Sequence, residues 1–74
     1  MDLGNNICID EKIKGGKPII KGTRVPVDLI IGKLAGGMTY EDVMKEYDIT
    51  REDILSVLEY ASTYIAGDEL RPAV

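Results

Sequence analysis

The chain has 74 residues, a net charge of −4, no histidine and a single cysteine, Cys8. A lone thiol cannot form a disulfide within the chain, and with no histidine it cannot complete a tetrahedral zinc site, so a homodimer is the expected source of added stability. No apolar run approaches the ~20 residues that cross a bilayer, and the N-terminal residues lack a signal-peptide pattern, which together predict a cytoplasmic protein with no membrane contact.

The first third of the chain has the composition of short strands separated by turns. The β-branched, apolar stretch ICID predicts a strand at about residues 7–10, and KPIIKGTRV predicts a second strand segment at about residues 18–25. Gly22-Thr23 predicts a tight turn or bulge within that second segment. Pro26 holds the preceding residue extended and suits the start of a helix.

From Val27 onward, apolar residues recur at intervals of three and four, which is the period of an amphipathic helix. Three helices are predicted, at about residues 27–35, 40–47 and 51–66. The tail at 67–74 has no periodicity and is expected to fray. Residues 1–66 are therefore expected to form a single domain.

The second and third helices match the general pattern of a helix-turn-helix. Thr39 is the expected N-cap of the second helix, and Thr50 followed by Asp53 predicts a capping box at the start of the third. Asp48 stands where the turn usually has glycine, and aspartate tolerates the left-handed conformation better than most residues. The predicted fold is mainly α: a three-helix, homeodomain-like helix-turn-helix bundle with short N-terminal β-strands.

The stretch KGGKPIIKGTRVPV, residues 14–27, is cationic in an acidic chain. It contains no acid and four cations: Lys14, Lys17, Lys21 and Arg24. A phosphate-binding P-loop needs Gly-Lys-Thr in order, whereas this chain has Lys-Gly-Thr, so nucleotide hydrolysis is not expected. Nucleophile–base catalysis is also not expected, because the usual base, histidine, is absent. The sequence therefore predicts no enzyme, no cofactor and no bound metal.

Positive and negative charges are distributed unevenly along the chain. Residues 1–33 contain six cations and four acids, whereas residues 34–74 contain three cations and nine acids. Such an asymmetry indicates two faces with different partners, although both sets of charges could equally be ordinary solvated surface.

The stretch GGKPIIKGTRVPVDLIIGKLAGGMTYEDVMKEYDITREDILSVLEYA resembles the bacterial and archaeal family named domain of unknown function 433. The family pattern is roughly Gly-Lys-Pro-Val-Ile-x-Gly-Thr-Arg-Ile-Pro-Val, then a helix and a glycine-rich turn, and then Leu-Thr-x-Glu-Asp-Ile before Ala-Leu-x-Tyr-Ala. The matching positions are 16–27, 49–54 and 57–61. The resemblance extends over about residues 7–66.

This resemblance implies a function that the residue patterns alone do not give. Such proteins are similar to VapB-type antitoxins, some encoded beside PIN-like ribonuclease toxins, and the expected roles are DNA binding and toxin neutralisation. The resemblance also implies a homeodomain-like domain that forms homodimers through its N-terminal strands. The hypothesis is therefore a dimeric, DNA-binding, antitoxin-like regulator. The alternative is a protein-interaction module that does not bind DNA.

In a conventional docking, the first turn of the third helix faces DNA, so Thr50 and Arg51 are the candidates for base contacts. The candidates for phosphate contacts are the cations of the N-terminal arm: Lys14, Lys17, Lys21 and Arg24. Glu52 and Asp53 oppose this docking, because their charge repels phosphates. For Arg24, the alternative is a place in the dimer interface, paired with an acid such as Glu59 or with a carbonyl.

Overall fold

The computed structural model describes the backbone of residues 1–67 and the side chains of residues 1–63. Two strands, a short 3-10 turn between them and three helices follow one another along the chain: β1 (Ile7–Ile9), the turn (Lys14–Gly16), β2 (Pro18–Ile20), α1 (Val27–Ala35), α2 (Tyr40–Tyr47) and α3 (Arg51–Gly67). The prediction of a mainly helical chain with three helices and short N-terminal strands is confirmed. Of the tail expected to fray, residues 67–74, Gly67 is the last residue of α3 and residues 68–74 lie outside the described residues. None of the helices described is long and apolar enough to cross a membrane.

The two strands pair antiparallel, with Ile7 opposite Ile20 and Ile9 opposite Pro18. The second strand ends at Ile20, so the prediction that it extends to residue 25 is wrong. The reason is Gly22, whose φ of 82° turns the chain, while the Thr23 N–H donates to the Ile20 carbonyl at 3.0 Å. A left-handed residue at this position suits a type II turn and ends the strand.

Both outer edges of this hairpin are engaged by neighbouring residues of the same chain. On the β1 side, Asp2 forms a bridge with Cys8; on the β2 side, Pro26 forms a bridge with Ile19. A strand edge with unpaired backbone groups is a common site of association, and here each edge is already bordered within the chain. The homodimer through N-terminal strands therefore remains a prediction, and its strands would have to pair outside these bordering segments or displace them.

One hydrophobic core joins the hairpin to all three helices. Its buried residues come from every strand and helix and from the turn before α3: Ile7, Ile20, Val27, Ile30, Val43, Ile49, Ile54 and Val57. In each helix the buried residues belong to the stripe that the sequence predicted. Burying one such side chain contributes about 1.5–3 kcal/mol. The core therefore holds the cationic hairpin in a fixed place against α1 and α3.

The helix ends have the local structures that the sequence predicted. Gly37, with φ of 105°, follows α1, and the Thr39 hydroxyl accepts from the Asp42 N–H at 3.1 Å at the start of α2. Asp48 adopts the left-handed conformation after α2, at φ 55° and ψ 48°. Ile49, in the turn between α2 and α3, is 6% exposed. The two helices are thus joined by a three-residue turn that packs into the core.

Candidate nucleic-acid interface

The loop after β2 is held by a compact set of hydrogen bonds around Thr23. The Thr23 hydroxyl donates to the Ile20 carbonyl at 2.7 Å and accepts from the Val25 N–H at 3.0 Å. The Ile20 N–H in turn donates to the Val25 carbonyl at 3.0 Å. The Gly-Thr-Arg sequence is therefore a built loop, in which glycine makes the turn and threonine fastens both sides of it.

This loop presents Arg24 to solvent. Arg24 is exposed, and within residues 1–63 its side chain makes no ion pair or hydrogen bond. Within residues 1–63, Arg24 forms no pair with Glu59 of the same chain, and the pairing across a dimer interface remains a prediction. A guanidinium carries five donors in a rigid fork, which suits a phosphate or a carboxylate. Arg24 is thus a cation on a fixed support, open to an external acceptor.

A second cationic feature is a shallow groove of about 600 Å³ beside α1. Three lysines, one acid and a small apolar floor line it: Lys14, Lys17, Lys33, Asp28, Pro26, Leu29 and Gly32. Lys33 was not a candidate from the sequence, because it lies in the first predicted helix, six residues beyond the end of the cationic stretch at Val27. Its spacing from Pro26 and Leu29, seven and four residues, places all three on one face of α1 and could have indicated it.

Two of the predicted phosphate contacts are held by carboxylates of the same chain. Lys17 Nζ lies 3.1 Å from Asp28 Oδ2, and Lys21 pairs with Asp2. The hydrogen bond from Lys21, with a second from the Gly4 N–H, holds the pKa of Asp2 below its ordinary value, and Asp2 raises the pKa of Lys21. Water and salt screen exposed pairs of this kind, so the lysines readily exchange these carboxylates for another anion.

The four cations of the arm do not form one patch. Lys14 and Lys17 line the α1 groove together with Lys33, whereas Lys21 turns to Asp2 and Arg24 stands on its own loop. The sequence prediction therefore grouped four cations that the structure distributes between the groove, the pair with Asp2 and the Gly-Thr-Arg loop, and their role as phosphate contacts remains a prediction.

The start of α3 holds both predicted base contacts. The Thr50 hydroxyl accepts from the Asp53 N–H at 3.0 Å, while the Asp53 carboxylate accepts from the Thr50 N–H at 3.0 Å, so the predicted capping box is formed. Arg51 lies over the Tyr40 ring, 5.0 Å from its centroid, in a cation–π contact. Thr50 and Arg51 are exposed but engaged locally, and no hydrogen bond or ion pair described joins them to the cationic hairpin.

The structure also shows a contact that no sequence pattern indicated. The Asn6 side-chain amide donates to the second oxygen of Asp53 at 2.7 Å, across 47 positions of the chain. This bond ties the turn before β1 to the first turn of α3. Two donors therefore partly offset the negative charge of Asp53, which was expected to repel the phosphates of DNA.

The acidic side chains of α2 and the start of α3 form a second charged surface, of opposite sign. Five exposed carboxylates lie on α2, in the turn after it and at the start of α3: Glu41, Asp42, Glu46, Asp48 and Glu52. Within residues 1–63 none of them forms a salt bridge, since both pairs found there belong to the hairpin and α1. The same part of the chain contains no cluster of His, Cys, Asp or Glu that could hold a metal ion.

Comparison with known proteins identifies the chain's relatives. A scan against protein families matches residues 7–61 to the family described as "Protein of unknown function (DUF433)". The chain belongs to this family. The matched region contains the hairpin, α1, α2 and the larger part of α3, and it includes the Gly-Thr-Arg loop and the α1 groove.

The fold is similar to the X-ray crystal structure of Rv2018 from Mycobacterium tuberculosis, with a TM-score of 0.67 and 27% sequence identity. The match covers 76% of this chain and 26% of the Rv2018 chain, so the present chain spans about a quarter of that protein's length. A search of curated proteins finds no match.

Proposed function

We propose that this DUF433 chain binds duplex DNA as a dimeric, antitoxin-like regulator, with the hairpin and α1 supplying the phosphate contacts. The observation that carries the proposal is Arg24, exposed and unpartnered within residues 1–63 on a loop that Thr23 fastens by two hydrogen bonds. Fixing the backbone that carries a cationic side chain reduces the conformational entropy that binding costs. Lys14 adds an exposed cation, 10 positions earlier in the chain, at the α1 groove.

The helices α2 and α3 support the proposal as a second contact region. They are joined by a short turn, and the exposed Thr50 and Arg51 lie where a helix-turn-helix presents side chains to base edges. Arg51 would have to leave the ring of Tyr40 or read a base while stacked on it. Glu52 is an exposed acid in the first turn of α3, and its charge repels phosphates. We therefore assign most of the affinity for DNA to the hairpin and α1.

The test is a salt series of DNA binding followed by fluorescence anisotropy, with a duplex from the promoter of the chain's own operon and an unrelated duplex. Each phosphate contact contributes about 0.9 to the slope of log affinity against log salt. We expect Arg24→Gln and Lys14→Gln each to reduce the slope by about that amount on both duplexes. Lys45→Gln, an equal charge change on the exposed side of α2, is the matched control and should leave the slope unchanged.

Arg51→Ala tests the assignment of base contacts to α3. We expect it to reduce the preference for the promoter duplex over the unrelated duplex, by about 1–3 kcal/mol of discrimination if the contact is bidentate. Absence of binding by the wild-type chain at low salt would reject DNA binding. Equal slopes for Arg24→Gln and Lys45→Gln would reject the phosphate role of Arg24.

The unpaired acids on α2 and α3 favour a second candidate function, a protein-interaction module for a basic partner. Complementary charge accelerates association and selects partners. A PIN-like nuclease encoded beside the chain is the partner that the VapB-type resemblance suggests. Titration calorimetry with such a nuclease should show weaker binding for Glu41→Gln/Glu46→Gln, while Glu11→Gln, in the loop after β1, serves as the control. Equal binding by all variants would reject the acidic face as the contact.

A further inference from the structure

We propose that the α1 groove binds the sugar–phosphate backbone of one DNA strand, and that Asp28 competes with that backbone for Lys17. This inference rests on the proposed DNA binding and assigns two residues to it, Lys33 and Asp28, which neither the sequence patterns nor the family description indicates. The groove between Lys14, Lys17 and Lys33 is the surface involved.

The arrangement along α1 fits an extended anion better than a single small one. Asp28, with Lys17 beside it, lies in the first turn, and Lys33 lies in the last turn. At 1.5 Å per residue, these positions are about 7.5 Å apart along the helix axis. Successive phosphates of one strand advance by about 3.4 Å along the duplex axis, so the two ends of the groove are separated by about two such steps.

The charge of the groove is positive only in part. Three lysines face one carboxylate, and Asp28 holds Lys17 at 3.1 Å. The side chains of this pair are 59% and 64% exposed, so water and salt screen it and it exchanges easily. Lys33 and Lys14 have no ion pair within residues 1–63. A bound phosphate would therefore meet two free lysines and one whose carboxylate must first be displaced.

The residues that line the groove suit contact with the sugar–phosphate backbone and not recognition of bases. Its floor is formed by Pro26, Leu29 and Gly32, which offer no side-chain donor or acceptor to a base edge. Lysine acts on a phosphate as a mobile point charge, without the rigid fork of donors that arginine has. The contribution of the groove should therefore be the same on every DNA sequence.

The experiment compares variants of the exposed Asp28 and Lys45 and of the half-buried Lys33 in the anisotropy salt series on two unrelated duplexes. Lys33→Gln should weaken binding equally on both duplexes and reduce the slope by about 0.9, whereas Lys45→Gln should not. Asp28→Asn should do the opposite: it should tighten binding about twofold to fivefold, as expected for removing a competing surface pair, and steepen the slope by less than the ~0.9 of a whole new phosphate contact.

A double-mutant cycle separates competition for Lys17 from simple repulsion by Asp28. In a Lys17→Gln background, Asp28→Asn should lose most of its tightening effect. An undiminished gain there would show that Asp28 acts as a general negative charge, and would overturn the competition. Thermal unfolding followed by circular dichroism should give nearly equal midpoints for these surface variants, which confirms that each compares folded chains.

The outcomes also distinguish this inference from the proposed function. If Arg24→Gln weakens DNA binding while Lys33→Gln and Asp28→Asn have no effect, the chain binds DNA and the groove is not part of the site. If the wild-type chain binds neither duplex at low salt, both proposals fail.

Discussion

The bond between Asn6 and Asp53 should make Asp53 one of the most important polar side chains for the stability of this domain. Its carboxylate accepts from the Thr50 N–H at 3.0 Å and from Asn6 Nδ2 at 2.7 Å, and the side chain is half-buried. Replacing it with alanine removes both bonds and a negative charge from the first turn of α3.

The expected cost of Asp53→Ala follows from these contacts. Losing the Asp53 half of the capping box removes one hydrogen bond, worth about 0.5–1.5 kcal/mol, while the Thr50 hydroxyl keeps its bond to the residue 53 N–H. A hydrogen bond to a charged group contributes about 1.5 kcal/mol or more, and the favourable position in the helix dipole adds about 0.3–1 kcal/mol. Because the terms overlap, we expect a loss of about 2–3 kcal/mol. A domain of this size has a stability of only about 4–11 kcal/mol, so the variant should melt about 10–20 °C lower.

Urea unfolding followed by far-ultraviolet circular dichroism measures this loss, and Glu52→Ala is the matched control. Glu52 is adjacent and exposed, and within residues 1–63 it has no partner, so its removal should cost at most about 0.5 kcal/mol. Asn6→Gly completes a double-mutant cycle, because glycine keeps the left-handed backbone at φ 70°. A coupling of about 1 kcal/mol is expected. A coupling energy of zero, or equal losses of stability for the Asp53 and Glu52 variants, would show that the Asn6–Asp53 bond does not stabilise the domain.

Three further changes test other local structures. Thr23→Val keeps the shape of the side chain but removes both hydrogen bonds of the Thr23 hydroxyl, so urea unfolding should show a loss of about 1–2 kcal/mol; an unchanged midpoint would contradict it. Asp48→Val forces a β-branched residue into the left-handed conformation and should cost about 1–2 kcal/mol, whereas Asp48→Gly should melt close to the wild type. The Asp2–Lys21 pair should stabilise the fold above pH 3.8, fading as pH falls through the lowered pKa of Asp2, and below pH 10.5, fading as pH rises through the raised pKa of Lys21. A pH series of unfolding should therefore show the wild type and Asp2→Asn converging at both extremes, and a constant difference would argue against the pair.

Interactions between residues close together in the chain were predictable from the amino-acid sequence alone. The apolar stripes of the helices, the capping box of Thr50 with Asp53 and the left-handed Asp48 depend on residues no more than four positions apart. Spacing along the chain is sufficient to reveal such interactions, because a helix places these positions side by side whatever the rest of the fold does. The Gly-Thr-Arg turn was located for the same reason, although its strand was predicted too long.

The grouping of the charged residues, in contrast, depends on the packing of the whole fold. Lys33 and Lys14 line one groove, Asp2 pairs with Lys21, and Asn6 donates a hydrogen bond to Asp53. These residues meet because the core packs the hairpin against α1 and α3. These contacts join residues separated by 19 to 47 positions, and nothing in their spacing marks them. Their partners are chosen by chain topology and burial, which depend on the whole core at once. Local periodicity therefore predicts the helices, and long-range packing determines which cations remain free to bind.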